Sequence, residues 1–177
     1  MTSTDRRVRA PTHRFVLLRH KPPTPLTRPR GLVVACVPMR SNVNLSQIAR
    51  TAAAMAIDRL IVCGNARVNR TIARDAADHL VVETRRTLPP VLSRLKAEGY
   101  RVVALEQATG SVPLPAYAFP HRTVLVVGNE RLGVPQDVLD LADDCVEIPV
   151  WGLPHSYNAA SAGQMAMYEY CRCYPDG

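Results

Sequence analysis

Seven side chains stand out for the chemistry they could do together. Asn42, Asn44, Asn129, Ser156 and Asn158 are uncharged hydrogen-bonding groups near the ends of apolar runs, and Arg50 and Glu130 are the charged residues nearest them in motif. Such a set suits a ligand held largely by backbone groups, and a reaction that needs positioning more than a strong acid or base. The traces of other chemistries are missing. No G-x-G-x-x-G follows the first apolar run, and there is no Walker A lysine and no G-x-S-x-G elbow. His13, His20, His79, His121 and His155 have no partners at metal-ligand spacing, so no metal is expected. Each candidate also has an ordinary use. Asn42 or Asn44 could cap the helix that follows, and a Ser/Asn pair before a helix is common capping chemistry.

The elements that must hold these groups alternate. Residues 32–37 form a continuous apolar run, the mark of a strand covered on both faces. Leu45, Ile48, Ala52, Met55 and Ala56 then repeat with helical spacing over residues 45–57. Further strands are predicted at 60–63, 80–83, 101–105, 124–127 and 146–148, and helices at 70–77, 135–141 and 158–172. Thr87 is placed as the cap of another helix, with Pro89 in its first turn and Gly99 past its end. Residues 106–118 read as a loop. Strands alternating with helices imply an α/β fold with a mostly parallel sheet wrapped by helices. In such sheets ligands collect where loops leave the carboxyl ends of strands.

At 177 residues the chain is one ordinary domain with a core that must be aliphatic, since 47% of residues are hydrophobic and 5% aromatic. The formal charge of +7 makes attraction to polyanions plausible without establishing it. No stretch approaches the ~18 consecutive apolar residues of a membrane helix, and no secretory signal is seen. Five scattered cysteines point to a reducing, cytoplasmic compartment. Residues 1–30 read as a basic, Pro/Arg-rich arm, with Phe15-Val16-Leu17-Leu18 as a possible short edge strand, and residues 31–177 as the domain.

Three stretches together resemble the SpoU (TrmH-like) branch of the SPOUT methyltransferases. The first has Asn44 six residues before Arg50; the second is Gly128-Asn129-Glu130-Arg131-Leu132-Gly133. The third is Ile148-Pro149-Val150-Trp151-Gly152 followed by Ser156-Tyr157-Asn158. The resemblance implies a deep trefoil knot at the C-terminal end, a homodimer, and S-adenosyl-L-methionine as cofactor. It implies methylation of a ribose 2′-hydroxyl of RNA, with tRNA favoured over rRNA.

It also implies roles. Arg50 would fix a phosphate and stabilise charge on the 2′-oxygen, because a guanidinium is a poor base. Asn44 would stand near the ribose, Glu130 would orient Arg50 or an RNA-contacting group, and Ser156 and Asn158 would hold the loops of the site. Leu105, Gln107, Gly128, Ile148, Ser156 and Tyr157 would bind the cofactor, with Gly128 letting the ligand approach the main chain. Tyr157 departs from the aliphatic residue usual in the family. Two rivals are a knotted RNA-binding protein without turnover, and an α/β enzyme using another nucleotide.

Overall fold

Strand β1, Leu32–Cys36, is buried along its whole length and stands near the middle of the sheet. The structure is a computed structural model and describes residues 15–19, 21–57, 59–74, 79–153 and 155–177. The other strands are β2 (Arg59–Cys63), β3 (Val81–Arg85), β4 (Arg101–Leu105), β5 (Val112–Pro113), β6 (Thr123–Val127) and β7 (Asp144–Glu147). They form a seven-stranded sheet in the order β3-β2-β1-β6-β4-β7-β5, and every pairing is parallel. The α/β class read from alternation is the one observed.

Strand β6 lies between β1 and β4, so the loops leaving β1, β4 and β6 emerge side by side at the carboxyl edge. The order reverses there, which is where open α/β sheets form their ligand crevice.

Helices cover both faces, which is why the strands read as unbroken apolar runs. Among the described residues the helices are α1 (Asn42–Ala54), α2 (Arg70–Ala73), α3 (Pro89–Ala97), α4 (Gln136–Leu139) and α5 (Ala159–Cys173). Leu32, Val34 and Cys36 of β1 pack with Leu45 and Ile48 of α1 and with Ala160, Met167 and Tyr170 of α5. Val33 and Ala35 pack with Leu92 and Leu95 of α3 and Val138 of α4. Each fully buried leucine or isoleucine contributes roughly 1.5–3 kcal/mol of transfer free energy. The small residues of α5 serve this core: a Cβ on Gly163 would sit 3.3 Å from Val127 and 3.8 Å from Ile48.

Several local expectations are corrected. Helix α1 begins at Asn42, and its cap is Ser41, whose hydroxyl accepts the Asn44 N–H; neither Asn42 nor Asn44 caps it. Helix α3 is capped by Leu88 without a side-chain bond, so Thr87 is not its cap, although Pro89 and Gly99 stand as predicted. The 106–118 segment contains β5 and a 3-10 turn, Leu114–Ala116. These two-to-three-residue pieces are too short to carry a period. Helix α2 spans four residues, and residues 75–77 of its predicted extent lie outside the described residues. Phe15, Val16, Leu17 and Leu18 form no strand and are exposed. Residues 1–14 and 20 of the predicted arm also lie outside the described residues. Thr27 and Arg28 bond to the main chain of Asp176 and Gly177.

Candidate functional site

The first turn of α1 is held by a carboxylate from 86 residues away. Glu130 accepts the backbone N–H of Arg40 through Oε2 and that of Ser41 through Oε1, both at 3.0 Å. Its Oε1 also accepts the Asn44 side-chain amide at 3.0 Å. Burial pushes this carboxyl up, but the Arg40, Asn44 and Ser41 donors outweigh it and hold the pKa below the ordinary value. Glu130 is therefore a fixed anion at the positive end of a helix. The expected orienting role toward Arg50 is corrected: the donors to Glu130 are the N–H groups of Arg40 and Ser41 and the Asn44 amide.

Asn44 is 8% exposed and faces a second partner. Its Oδ1 accepts the Asn158 side-chain amide at 3.1 Å. Asn158 in turn caps α5, its Oδ1 accepting the N–H groups of Ala160 and Ser161 at 2.9 and 3.2 Å. One chain of side-chain hydrogen bonds thus runs Glu130–Asn44–Asn158 and joins the three predicted motifs.

The loop after β6 is shaped by its own backbone. Asn129 and Gly133 exchange hydrogen bonds at 2.8 and 3.0 Å. The Asn129 side chain donates to the Pro38 carbonyl at 2.7 Å and accepts from Arg131 and Leu132. A Cβ on Gly128 would lie 2.8 Å from the Gly133 carbonyl carbon, so that glycine is required by the fold of this loop itself. Glu106, which the sequence reading missed, closes the loop from the other side: its Oε2 accepts the Val134 N–H at 2.8 Å and its Oε1 the Gln107 N–H at 3.0 Å. A carboxylate at a strand end with no motif neighbour gave no signal for this.

Between these loops lies a cavity of about 540 Å³. All six residues assigned to the cofactor line it: Leu105, Gln107, Gly128, Ile148, Ser156 and Tyr157. Glu130 and Asn158 also line it, as do Glu106, Glu147 and Arg131. Tyr157 is 41% exposed, and its hydroxyl donates to the Pro149 carbonyl over a long 3.4 Å. Asn44 meets the cavity only through Asn158 and Glu130. Arg50 is not on the cavity wall; it is exposed on α1 and is paired with no carboxylate among the described residues. Its neighbour Thr51 accepts a hydrogen bond from Gln164 of α5 at 3.0 Å. Apolar strand ends, engaged carboxylates and exposed backbone make a pocket that binds and orients, and Glu130 is too fully engaged to act as an acid.

Comparison with known proteins agrees with this geometry. The tRNA (guanosine(18)-2′-O)-methyltransferase of Escherichia coli K12 is 30% identical over 129 residues, covering 71% of this chain and 56% of that enzyme. The chain therefore spans little more than half the length of that relative. The crystal structure of the A. aeolicus TrmH/SpoU tRNA modifying enzyme superposes with a TM-score of 0.79 at 27% identity, covering 85% of this chain and 79% of the other. The SpoU methyltransferase AviRb from Streptomyces viridochromogenes, in complex with the cofactor AdoMet, gives 0.74 at 25% identity, covering 85% and 60%. The model of the SpoU rRNA Methylase family matches residues 31–168. That match takes in the whole sheet and all three motifs joined by Asn44, and the chain belongs to the SpoU rRNA Methylase family.

Proposed function

We propose that the protein transfers a methyl group from S-adenosyl-L-methionine to a ribose 2′-hydroxyl of RNA, with tRNA as the favoured acceptor. The observation that carries this is the Glu130–Asn44–Asn158 chain standing beside a cavity lined by every residue assigned to the cofactor. The cavity's volume is in the range of small-molecule sites. Its wall carries the carboxylates of Glu106, Glu130 and Glu147, which suit a ligand bearing positive charge. The cofactor reported with AviRb and the tRNA guanosine named for the E. coli relative support the choice of donor and acceptor.

When bound, the cofactor supplies an electrophilic methyl group on a sulfonium. The chain's residues do the rest by placement. Leu105 and Ile148 wall the apolar side and exclude water, which favours a step that neutralises charge. Asn158, held by Asn44, fixes the loop that enters α5. Arg50 keeps its proton and serves as the anchor for an acceptor phosphate and for negative charge on the 2′-oxygen.

The same proposal includes threading of the C-terminal segment and a homodimer. Helix α5 packs against β4 and β6 and also against the Leu114–Ala116 turn. The Tyr170 and Tyr174 hydroxyls donate to the carbonyls of His121 and Phe119 at 2.7 and 2.6 Å, which supports passage of this helix behind the 114–121 connection. Beyond Tyr157 a second groove of about 540 Å³ is bordered by Trp151, Met165 and Tyr168. Trp151 and Tyr168 are 82% and 65% exposed, a patch that a second copy of the chain would cover.

Calorimetric titration with S-adenosylmethionine, paired with mapping of ribose methylation in total RNA with and without the protein, tests the activity. Stoichiometric binding and a new 2′-O-methyl mark are expected. Binding without any mark would favour a silent RNA-binding protein, and absence of binding would end the proposal.

A further inference from the structure

The carboxyl edge of the sheet carries more positive charge than the pocket uses. Arg131 lies on the pocket wall. Arg40, Arg67, Arg70 and Arg86 are exposed and follow β1, β2 and β3 at the same edge. Hydrogen bonds tie these positions into one rim. The Arg40 N–H donates to Glu130 at 3.0 Å, next in the chain to Arg131. Two residues after Arg40, the Asn42 Oδ1 accepts the Arg67 N–H at 2.8 Å. The Ser46 Oγ accepts the Asn69 N–H at 2.7 Å, so Arg70 too is positioned by α1. The Arg67 guanidinium donates to the carbonyls of Gly64 and Ala66 at 3.2 and 3.1 Å, which restrains it. Pairing of Cys63 with Arg85 across β2 and β3 brings Arg86 alongside Gly64.

Within the described residues of the loops after β1, β2, β3 and β6, arginines outnumber carboxylates. Among the described residues of these loops the carboxylate is Glu130, and it is already engaged by three donors. No aromatic side chain stands between 38 and 44, 64 and 71, or 128 and 134, so these three loops have nothing on which to stack bases.

We propose that this rim is a docking surface for the phosphate backbone of RNA, receiving the strand that flanks the nucleotide presented to the pocket. The inference rests on the reading of the pocket as a ribose-methylating site and adds the residues that hold the acceptor. Arginine forks match phosphate oxygens bidentately, and the rim ends at the pocket wall through Arg131. Contacts of this kind position a strand without reading its sequence.

The test uses the full chain, an in vitro transcribed tRNA, and two double variants with equal loss of charge. Arg67→Gln/Arg70→Gln removes part of the rim; Arg94→Gln/Arg122→Gln removes charge from other faces. At about 0.1 M salt the rim variant is expected to bind the transcript at least roughly tenfold more weakly, and its log–log salt slope to fall by about 1.5. Its affinity for S-adenosylmethionine, measured by calorimetry, stays unchanged. Equal losses in both variants, an unchanged rim variant, or a wild-type chain that fails to bind the transcript at low salt would overturn the docking surface. A rim-dependent loss of RNA in a chain that binds no S-adenosylmethionine would instead sink the pocket reading and leave the rim standing.

Discussion

Asn158 donates its side-chain amide to Asn44 across 114 residues of chain, at 3.1 Å. The bond matters because each partner has a separate local task. Asn158 caps α5, while Asn44 donates its backbone N–H to Ser41's capping hydroxyl and its side-chain amide to Glu130. Substituting Asn158 by Ala removes both the cap and the bridge, so stability should fall by about 1 kcal/mol and cofactor affinity with it. Asn44→Ala leaves the α5 cap in place. A double-mutant cycle on cofactor affinity should show coupling of roughly 0.5–3 kcal/mol between the two positions. Strict additivity in calorimetric titrations would show that the bridge does not shape the pocket.

Glu130 makes the site sensitive to acid. Its pKa is held below the ordinary glutamate value of 4.5 by N–H donors that outweigh its burial, so the folded state favours the ionised form. A depressed carboxyl adds stability that is fully present above the unfolded value and is lost as pH falls through the folded one. Glu130→Gln should therefore be less stable than wild type near pH 7, and the difference should vanish at a pH well below 4.5. Urea denaturation followed from pH 7 downward measures this. A difference that persisted unchanged to pH 3 would mean that the carboxylate's charge is irrelevant to the turn it holds.

Much of this arrangement was legible in the chain because it depends on strand ends. The apolar runs around Val34, Ile61, Val103 and Leu125 are buried on both faces, so their pattern is unbroken and the residues after them fall at the crevice edge. That is enough to place Leu105, Gly128 and Ile148 at strand ends; grouping them around one cofactor is what the resemblance to the SpoU family implies, and the cavity they share has all three on its wall. What could not be read was which polar group meets which. Asn44 looks like a helix cap and is instead a bridge, because Ser41 takes the cap. Glu106 looks like an ordinary loop carboxylate, and its task depends on Val134 being folded back beside it. Strand order was equally hidden: nothing local to β6 says that it enters between β1 and β4.

The proposed role of Arg50 predicts that binding and turnover can be separated. It is exposed and off the cavity wall, so removing it should leave the cofactor pocket undisturbed. Arg50→Ala is expected to lower methyl transfer by about a hundredfold or more, the scale of losing one charge-stabilising donor. Cofactor affinity should change less than twofold. Arg50→Lys should recover only part of the rate, because a point charge cannot replace a fork. A single-turnover methylation assay beside a calorimetric titration reads both quantities. Wild-type turnover in the alanine variant would remove Arg50 from the mechanism.

Gly133 offers a test of the part of the cavity wall that Glu106 closes. Its φ of +65° favours glycine, and a Cβ there would stand 2.3 Å from the Glu106 Oε2. That oxygen accepts the Val134 N–H, so it cannot withdraw without leaving a donor unpaired. Gly133→Ala should destabilise the fold by roughly 1–3 kcal/mol, combining backbone strain with a disturbed hydrogen bond. Cofactor affinity should drop as well, since Glu106 and Gly133 both line the cavity. Adding Glu106→Ala to Gly133→Ala removes the steric conflict but not the strain. The double variant should therefore be less destabilised than the sum of the two single ones. Chemical denaturation of the three variants decides it, and a simple sum would mean that the glycine is needed for its φ alone.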